Sequence, residues 1–148
     1  MNLAQGRILE DRMAAQLARC DKATILVVDD DEIVRDYVSG ILLRHGYSVM
    51  KAESGLAAIA KSREHIGPIH LLISDLQMPR MSGIQLGRDL VQERPETRVL
   101  IMSGCDPDGL NFHDDWLFIQ KPFCADDLCQ VVAEILHGPV RECSAGAF

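Results

Sequence analysis

The sequence predicts an α/β fold built on a doubly wound parallel sheet, and three observations predict it. Short, continuously apolar runs rich in β-branched residues recur along the chain, as strands buried on both faces of a parallel sheet require. Segments with helical apolar spacing alternate with these runs. Several runs also end in a polar residue, Asp29, Asp75, Ser103 or Lys121, at the strand end where open α/β sheets bind ligands.

The elements follow in order. Leu9, Met13 and Leu17 stand four residues apart among charges, which predicts a short amphipathic helix within an N-terminal extension over 1–22. Such a stripe serves either to pack the helix on its own domain or to contact a second copy or a kinase. TILVV, starting at Thr24, reads as the first strand. Ile33, Val34, Tyr37, Val38, Ile41 and Leu42 then recur at helical spacing, and Gly46 closes the pattern.

YSVMKAE reads as a second strand, and Ser54 as the N-cap of a helix over LAAIAKSREHI, broken by Gly67-Pro68. HLLISD is the third strand; the loop LQMPRMSG leads from it into the helix IQLGRDLVQER, which Pro95 stops. RVLIMSG and WLFIQK are the fourth and fifth strands. Asp126 to His137 carries Leu128, Val131, Val132, Ile135 and Leu136 on one face of a last helix. Between Gly104 and Asp115, Pro107 and Gly109 break helices and apolar residues are sparse, which predicts a shortened or irregular helix. One domain over 23–138 and a flexible tail over 139–148 complete the expectation.

With 148 residues, 47% of them hydrophobic and 25% charged, the chain fits one ordinary core and is far from a disordered composition. Its 22 acidic residues against 15 basic ones give a formal charge of -7, which argues against nucleic acid as a partner. Cys20, Cys105, Cys124, Cys129 and Cys143 form an odd set with no C-x-x-C pair, so neither a disulfide framework nor a zinc site is expected. No apolar run approaches the ~20 residues that cross a bilayer, and ILEDRMAAQLARCDK is too charged for a signal peptide. The expected setting is the reducing cytoplasm, with no membrane partner.

Parallel strands joined by right-handed crossovers bring their C-terminal ends to one edge, so Asp29, Asp30, Asp75, Ser103 and Lys121 are expected to share a rim. Taken singly, each is as easily a turn, cap or surface group; joint placement gives them meaning. Packed carboxylates repel, and a hard cation with oxygen ligands neutralises them. Mg²⁺ suits this role because it takes only one or two carboxylates and leaves room for phosphoryl oxygens. Asp75 can then act as a nucleophile toward phosphorus, with Lys121 and Ser103 positioned to bind the phosphoryl oxygens. Asp31 and Glu32 line the acidic loop or favour the first helical turn through its dipole.

VVDDDE at 27–32, LISDLQMPRMSG at 72–83, VLIMSG at 99–104 and FIQKPF at 118–123 run in the order and spacing of the receiver domains of bacterial response regulators, which the chain resembles from about Thr24 to His137. The resemblance implies a flavodoxin-like five-stranded sheet in the order 2-1-3-4-5. It implies Asp75 as phosphoacceptor, Asp30 as a direct Mg²⁺ ligand, Asp29 as a ligand through water, and Gln77 as a ligand through its backbone carbonyl. Ser103 matches the switch hydroxyl, Lys121 the phosphate-binding lysine, and Phe118 the aromatic whose rotamer follows the switch; plain core packing is the other reading of Phe118. The Lys121-Pro122 bond is cis in the family.

The implied partners are a histidine kinase or phosphotransfer protein upstream and an unnamed protein downstream, with a homodimer left open. Nothing after His137 has the length of an output domain, so signalling is expected to pass through a protein surface. The region 104–115 departs from the family, whose fourth helix is rich in alanine and glycine, and Gly104 leaves the phosphoryl site open where many relatives carry alanine. FIQKPF and VLIMSG are also similar to receivers of hybrid histidine kinases, which keeps a phosphorelay module as an alternative. A phosphatase of the haloacid dehalogenase type needs an acid/base aspartate two residues after the nucleophile; Gln77 stands there and cannot do that work. The expectation is therefore a signalling domain whose only chemistry is its own phosphorylation and dephosphorylation. A pseudo-receiver is the third reading, against which the intact set Asp30, Asp75, Ser103 and Lys121 argues.

Overall fold

The computed structural model describes residues 23–104 and 116–137. Within them β1 (Thr24–Val28), β2 (Ser48–Ala52), β3 (Leu71–Asp75), β4 (Arg98–Ser103) and β5 (Leu117–Gln120) form one parallel sheet in the order β2-β1-β3-β4-β5. Helices α1 (Glu32–Arg44), α2 (Gly55–Glu64), α3 (Gly83–Glu93) and α4 (Ala125–His137) alternate with or follow the strands. The fold class and strand order match the sequence expectation. The expected helix within 1–22, the irregular segment 105–115 and the tail 139–148 lie outside the described residues. No described helix is long and apolar enough to cross a membrane.

Side chains of a strand alternate between faces, so each central strand feeds two apolar layers. Ile25, Val27, Leu71, Ile73, Leu100 and Met102 pack with Val38, Ile41 and Leu42 of α1 and Leu128 and Val132 of α4. Leu26, Val28, Leu72, Val99 and Ile101 pack with Ala58 of α2 and Leu86 and Leu90 of α3 on the other side. Truncating one of these fully buried leucines to alanine costs about 2–5 kcal/mol.

Three helices begin at capped N-termini. Asp31, Ser54 and Ser82 accept hydrogen bonds from the backbone N–H groups of Ile33, Ala57 and Gln85; each such cap is worth about 1 kcal/mol. After α1 the chain reverses through Gly46, whose φ of +90° suits glycine. Helix α2 stops at Glu64, two residues before the apolar pattern ends, because His65 is already extended ahead of Gly67-Pro68; Ile66 is left 95% exposed. On α1 the fully buried part of the sheet-facing stripe is Val38, Ile41 and Leu42, with Val34 half-buried against the same layer. Ile33, in the first turn just past the end of β1, and Tyr37 belong to the same apolar spacing but stay 79% and 46% exposed, with Tyr37 leaning toward Phe123 at 6.4 Å between ring centroids.

The N-terminal edge of the sheet is closed by local hydrogen bonds. His70 Nδ1 accepts from Thr24 N–H at 2.9 Å, and the Thr97 hydroxyl donates to the Ile69 carbonyl at 2.7 Å. The Arg94 guanidinium, just past α3, donates to Ser62 Oγ and to the carbonyls of Ser62, His65 and Gly67 at 2.7–2.9 Å. It thereby caps the C-terminal end of α2, where orphan carbonyls need donors.

Candidate functional site at the C-terminal edge of the sheet

The strand ends of β1, β3, β4 and β5 deliver their polar residues to one place. Lys121 Nζ donates to Asp75 Oδ1 at 2.9 Å and to Asp29 Oδ2 at 3.2 Å, so one ammonium bridges two carboxylates that are 46 residues apart in the chain. Asp29, Asp30 and Asp75 each place a carboxylate oxygen within 4.8 Å of the others. Asp29 and Asp75 are buried, whereas Asp30 is exposed at the rim.

Backbone contacts hold these groups in register. Asp29 Oδ1 accepts from the Asp31 N–H at 2.9 Å, its own N–H reaches the Ala52 carbonyl, and Arg35 Nη1 of α1 donates to its carbonyl at 2.7 Å. The Lys121 N–H donates to the Ser103 carbonyl at 2.6 Å, which ties the end of β5 to that of β4, and the Lys121–Pro122 bond is cis. Ser103 is buried, 2% exposed. Gln77 lies exposed in the loop after β3, and Phe118 is half-buried against the α2/α3 apolar layer.

Past Asp75 the loop is tight. Leu76 N–H donates to the Met102 carbonyl and Gly83 N–H to the Leu76 carbonyl, at 2.8 and 2.9 Å. A Cβ on Gly83 would fall 2.2 Å from the Asp75 carbonyl oxygen, so only glycine lets α3 start this close to the strand end.

Electrostatics follow the geometry. Burial pushes the Asp29 carboxyl above its ordinary pKa, although the Asp31 N–H and the Lys121 charge pull against it. Burial acts to lower the Lys121 pKa, but the hydrogen bond to Asp75 and the charges of Asp29 and Asp75 outweigh it, leaving the lysine raised and firmly protonated. Three carboxylates against one ammonium leave the cluster negative. A divalent cation with oxygen ligands fits that donor set and would complete its neutralisation.

Sequence reasoning placed Asp29, Asp30, Asp75, Ser103 and Lys121 on one rim; the structure brings the side chains of Asp29, Asp30, Asp75 and Lys121 together, and Ser103 adjoins them through its carbonyl, which accepts from the Lys121 N–H. It missed Arg35, whose only signal was a cation one helical turn past the acidic loop. It also left Asp31 as a loop or dipole residue, although an aspartate directly before an apolar-periodic run carries an N-cap signal.

These features define a doubly wound α/β domain with an acidic, lysine-bridged site at the strand ends. The family described as the response regulator receiver domain matches residues 25–133, and the chain belongs to it. The chemotaxis protein CheY of Bacillus subtilis is 30% identical over 118 residues, covering 76% of this chain and 97% of that one. The sensor kinase CckA of Brucella abortus is 34% identical over 119 residues, 78% of this chain; the chain spans only 13% of that kinase's length. Among solved structures, the chemotaxis response regulator CheY4 of Vibrio cholerae superposes with a TM-score of 0.68 at 25% identity, covering 76% of this chain and 98% of that one.

Proposed function

We propose that the chain is a phosphorylation-controlled signalling receiver: Asp75 accepts a phosphoryl group from a histidine kinase or phosphotransfer protein in a Mg²⁺-dependent reaction. The observation that carries this reading is the Lys121 bridge between Asp29 and Asp75 inside a three-carboxylate cluster. Asp29, through water, Asp30, Asp75 and the Gln77 carbonyl would hold the Mg²⁺, which supplies positive charge to the carboxylates and to the phosphoryl oxygens.

In the transfer, an Asp75 carboxylate oxygen attacks phosphorus, the new O–P bond forms, and the bond from phosphorus to the donor nitrogen breaks with its electron pair returning to the imidazole. The protonated Lys121 and the Ser103 hydroxyl donate to the phosphoryl oxygens as charge gathers there. Phe118 is read as the aromatic that follows Ser103 and carries the change toward a partner protein. The exposed Ile33 and Tyr37, with Phe123 beside Tyr37, give an apolar surface after the acidic loop that suits a donor helix. The 34% identity with part of a sensor kinase supports a second form of the same reading, a receiver within a phosphorelay.

Acetyl phosphate with Mg²⁺ is expected to label the wild-type chain. Asp75→Asn should abolish the label while leaving the circular dichroism spectrum unchanged, and chelating the metal should abolish it as well. A label that survives Asp75→Asn would move the phosphoacceptor elsewhere and defeat the assignment.

A further inference from the structure

The helix interior of α3 contains a glycine, Gly87, that the site does not explain, although glycine is a poorer helix former than alanine. The reason lies across the layer: a Cβ on Gly87 would stand 2.6 Å from Cη2 of Trp116. The indole, 8% exposed, lies flush against the helix backbone where any other side chain would displace it.

Trp116 immediately precedes β5 and packs into the same apolar layer as Phe118, two residues further on. Residues two apart in a strand share a face. Phe118 pairs with Ile101 in the register of β4 and β5, and Ser103 follows Ile101 by two, so Ser103, Phe118 and Trp116 lie on the same side of the sheet. That side faces α3, whose Leu86 and Leu90 flank Gly87 within the layer.

We propose that Trp116 is a transmission element, coupling the state of the Ser103–Phe118 face to α3 through its contact at Gly87. This rests on the phosphoryl-switch reading given above and adds a route and an endpoint to it. When Phe118 changes rotamer, the volume next to Trp116 changes. A close-packed layer answers by shifting the next rigid group rather than by leaving a void. The indole is that group, and because Gly87 offers backbone alone, its movement is passed to α3 directly. The face of α3 around Gly87 and Val91 thereby becomes sensitive to the state of a site at the opposite end of β5.

The test uses the full chain with Mg²⁺ and beryllofluoride, a phosphoryl mimic, and reads three quantities. Calorimetry reports binding at the site, emission reports Trp116, which is the only tryptophan, and hydrogen exchange reports the amides of α3. Trp116 and Lys121 are five residues apart along an extended strand, about 16 Å, so the ligand does not touch the indole. The expected result is a saturable emission change with the midpoint of the binding heat, and an exchange change of about threefold or more at Leu86–Val91. In Phe118→Ala the heat persists and both other signals vanish. Heat without an emission or exchange change overturns the coupling and leaves the phosphoryl reading standing, as does a change that persists in Phe118→Ala. Absence of heat in the wild type defeats the phosphoryl reading and this inference with it.

Discussion

The two edges of the sheet solve opposite problems with similar residue types. At the N-terminal edge, His70, Thr97 and Arg94 spend their polar groups on neutral partners, backbone groups in every case but the Ser62 hydroxyl. At the C-terminal edge, two buried carboxylates share one ammonium with a third carboxylate beside them. The first arrangement stabilises the fold as it stands; the second sets three carboxylates against one ammonium, a negative balance that a bound cation would offset. Mutations at the two edges should therefore separate stability from chemistry, and the place where they fail to separate marks where scaffold and site are the same atoms.

That place is Gly83, which carries the largest expected effect. A methyl there meets the Asp75 carbonyl at 2.2 Å and Ser74 Oγ at 3.0 Å, and the first of these is backbone that no rotamer change can move. Gly83→Ala is expected to destabilise the chain by about 3 kcal/mol and to slow acetyl phosphate labelling, because relief requires shifting either α3 or the strand end that holds Asp75. Urea denaturation and initial labelling rates check both. A loss of stability with labelling intact would show that α3 yields alone and that the two functions of this turn are separable after all.

Arg94→Ala sharpens the comparison from the other edge. It strips donors from three carbonyls and one hydroxyl at the end of α2, with an expected cost of about 2 kcal/mol and a fall in Tm of about 6 °C. Labelling at a temperature where the variant remains folded should be unchanged. Slower labelling there would mean that the closed edge also positions the rim.

How far each edge was legible in the sequence follows from the same contrast. The rim could be read because strand ends deliver functional residues by topology alone: an apolar run followed by Asp, Ser or Lys locates the residue without any knowledge of its partners. Asp75 and Lys121 needed only the order of strands to meet. Arg94, His70 and Thr97 went unread because their partners, all but the Ser62 hydroxyl, are backbone groups of segments 27 to 46 residues away, which carry no side-chain signature. Gly87 was unreadable for a related reason: its partner, Trp116, is a large side chain on a different element, and contact across a layer leaves no local pattern. Ile33 and Tyr37 misled because helical spacing identifies an apolar face but not which turn of it the sheet is long enough to cover.

The smallest effect in free energy gives the finest test of the under-neutralised edge. Burial raises the Asp29 pKa, so between the ordinary carboxylate value and the raised one the folded state holds more protons than the unfolded state. With the slope of stability against pH set by protons bound in the unfolded minus the folded state, this group's contribution is negative: metal-free stability falls as pH rises through that window. Asp29→Asn removes the titration while keeping an oxygen for the Asp31 N–H, and Lys121 keeps Asp75. The variant is expected to gain about 1 kcal/mol at neutral pH without metal, to lose the pH slope in that window, and to bind Mg²⁺ at least about tenfold more weakly. Added Mg²⁺ should then reverse the ranking, since a tenfold tighter site gains the wild type about 1.4 kcal/mol more than the variant once the ion is well above both dissociation constants. Melting curves across pH with and without Mg²⁺ read all of this. If the variant is less stable than the wild type in both conditions, Asp29 is a structural group like those of the other edge, and the rim is not held in reserve for a cation.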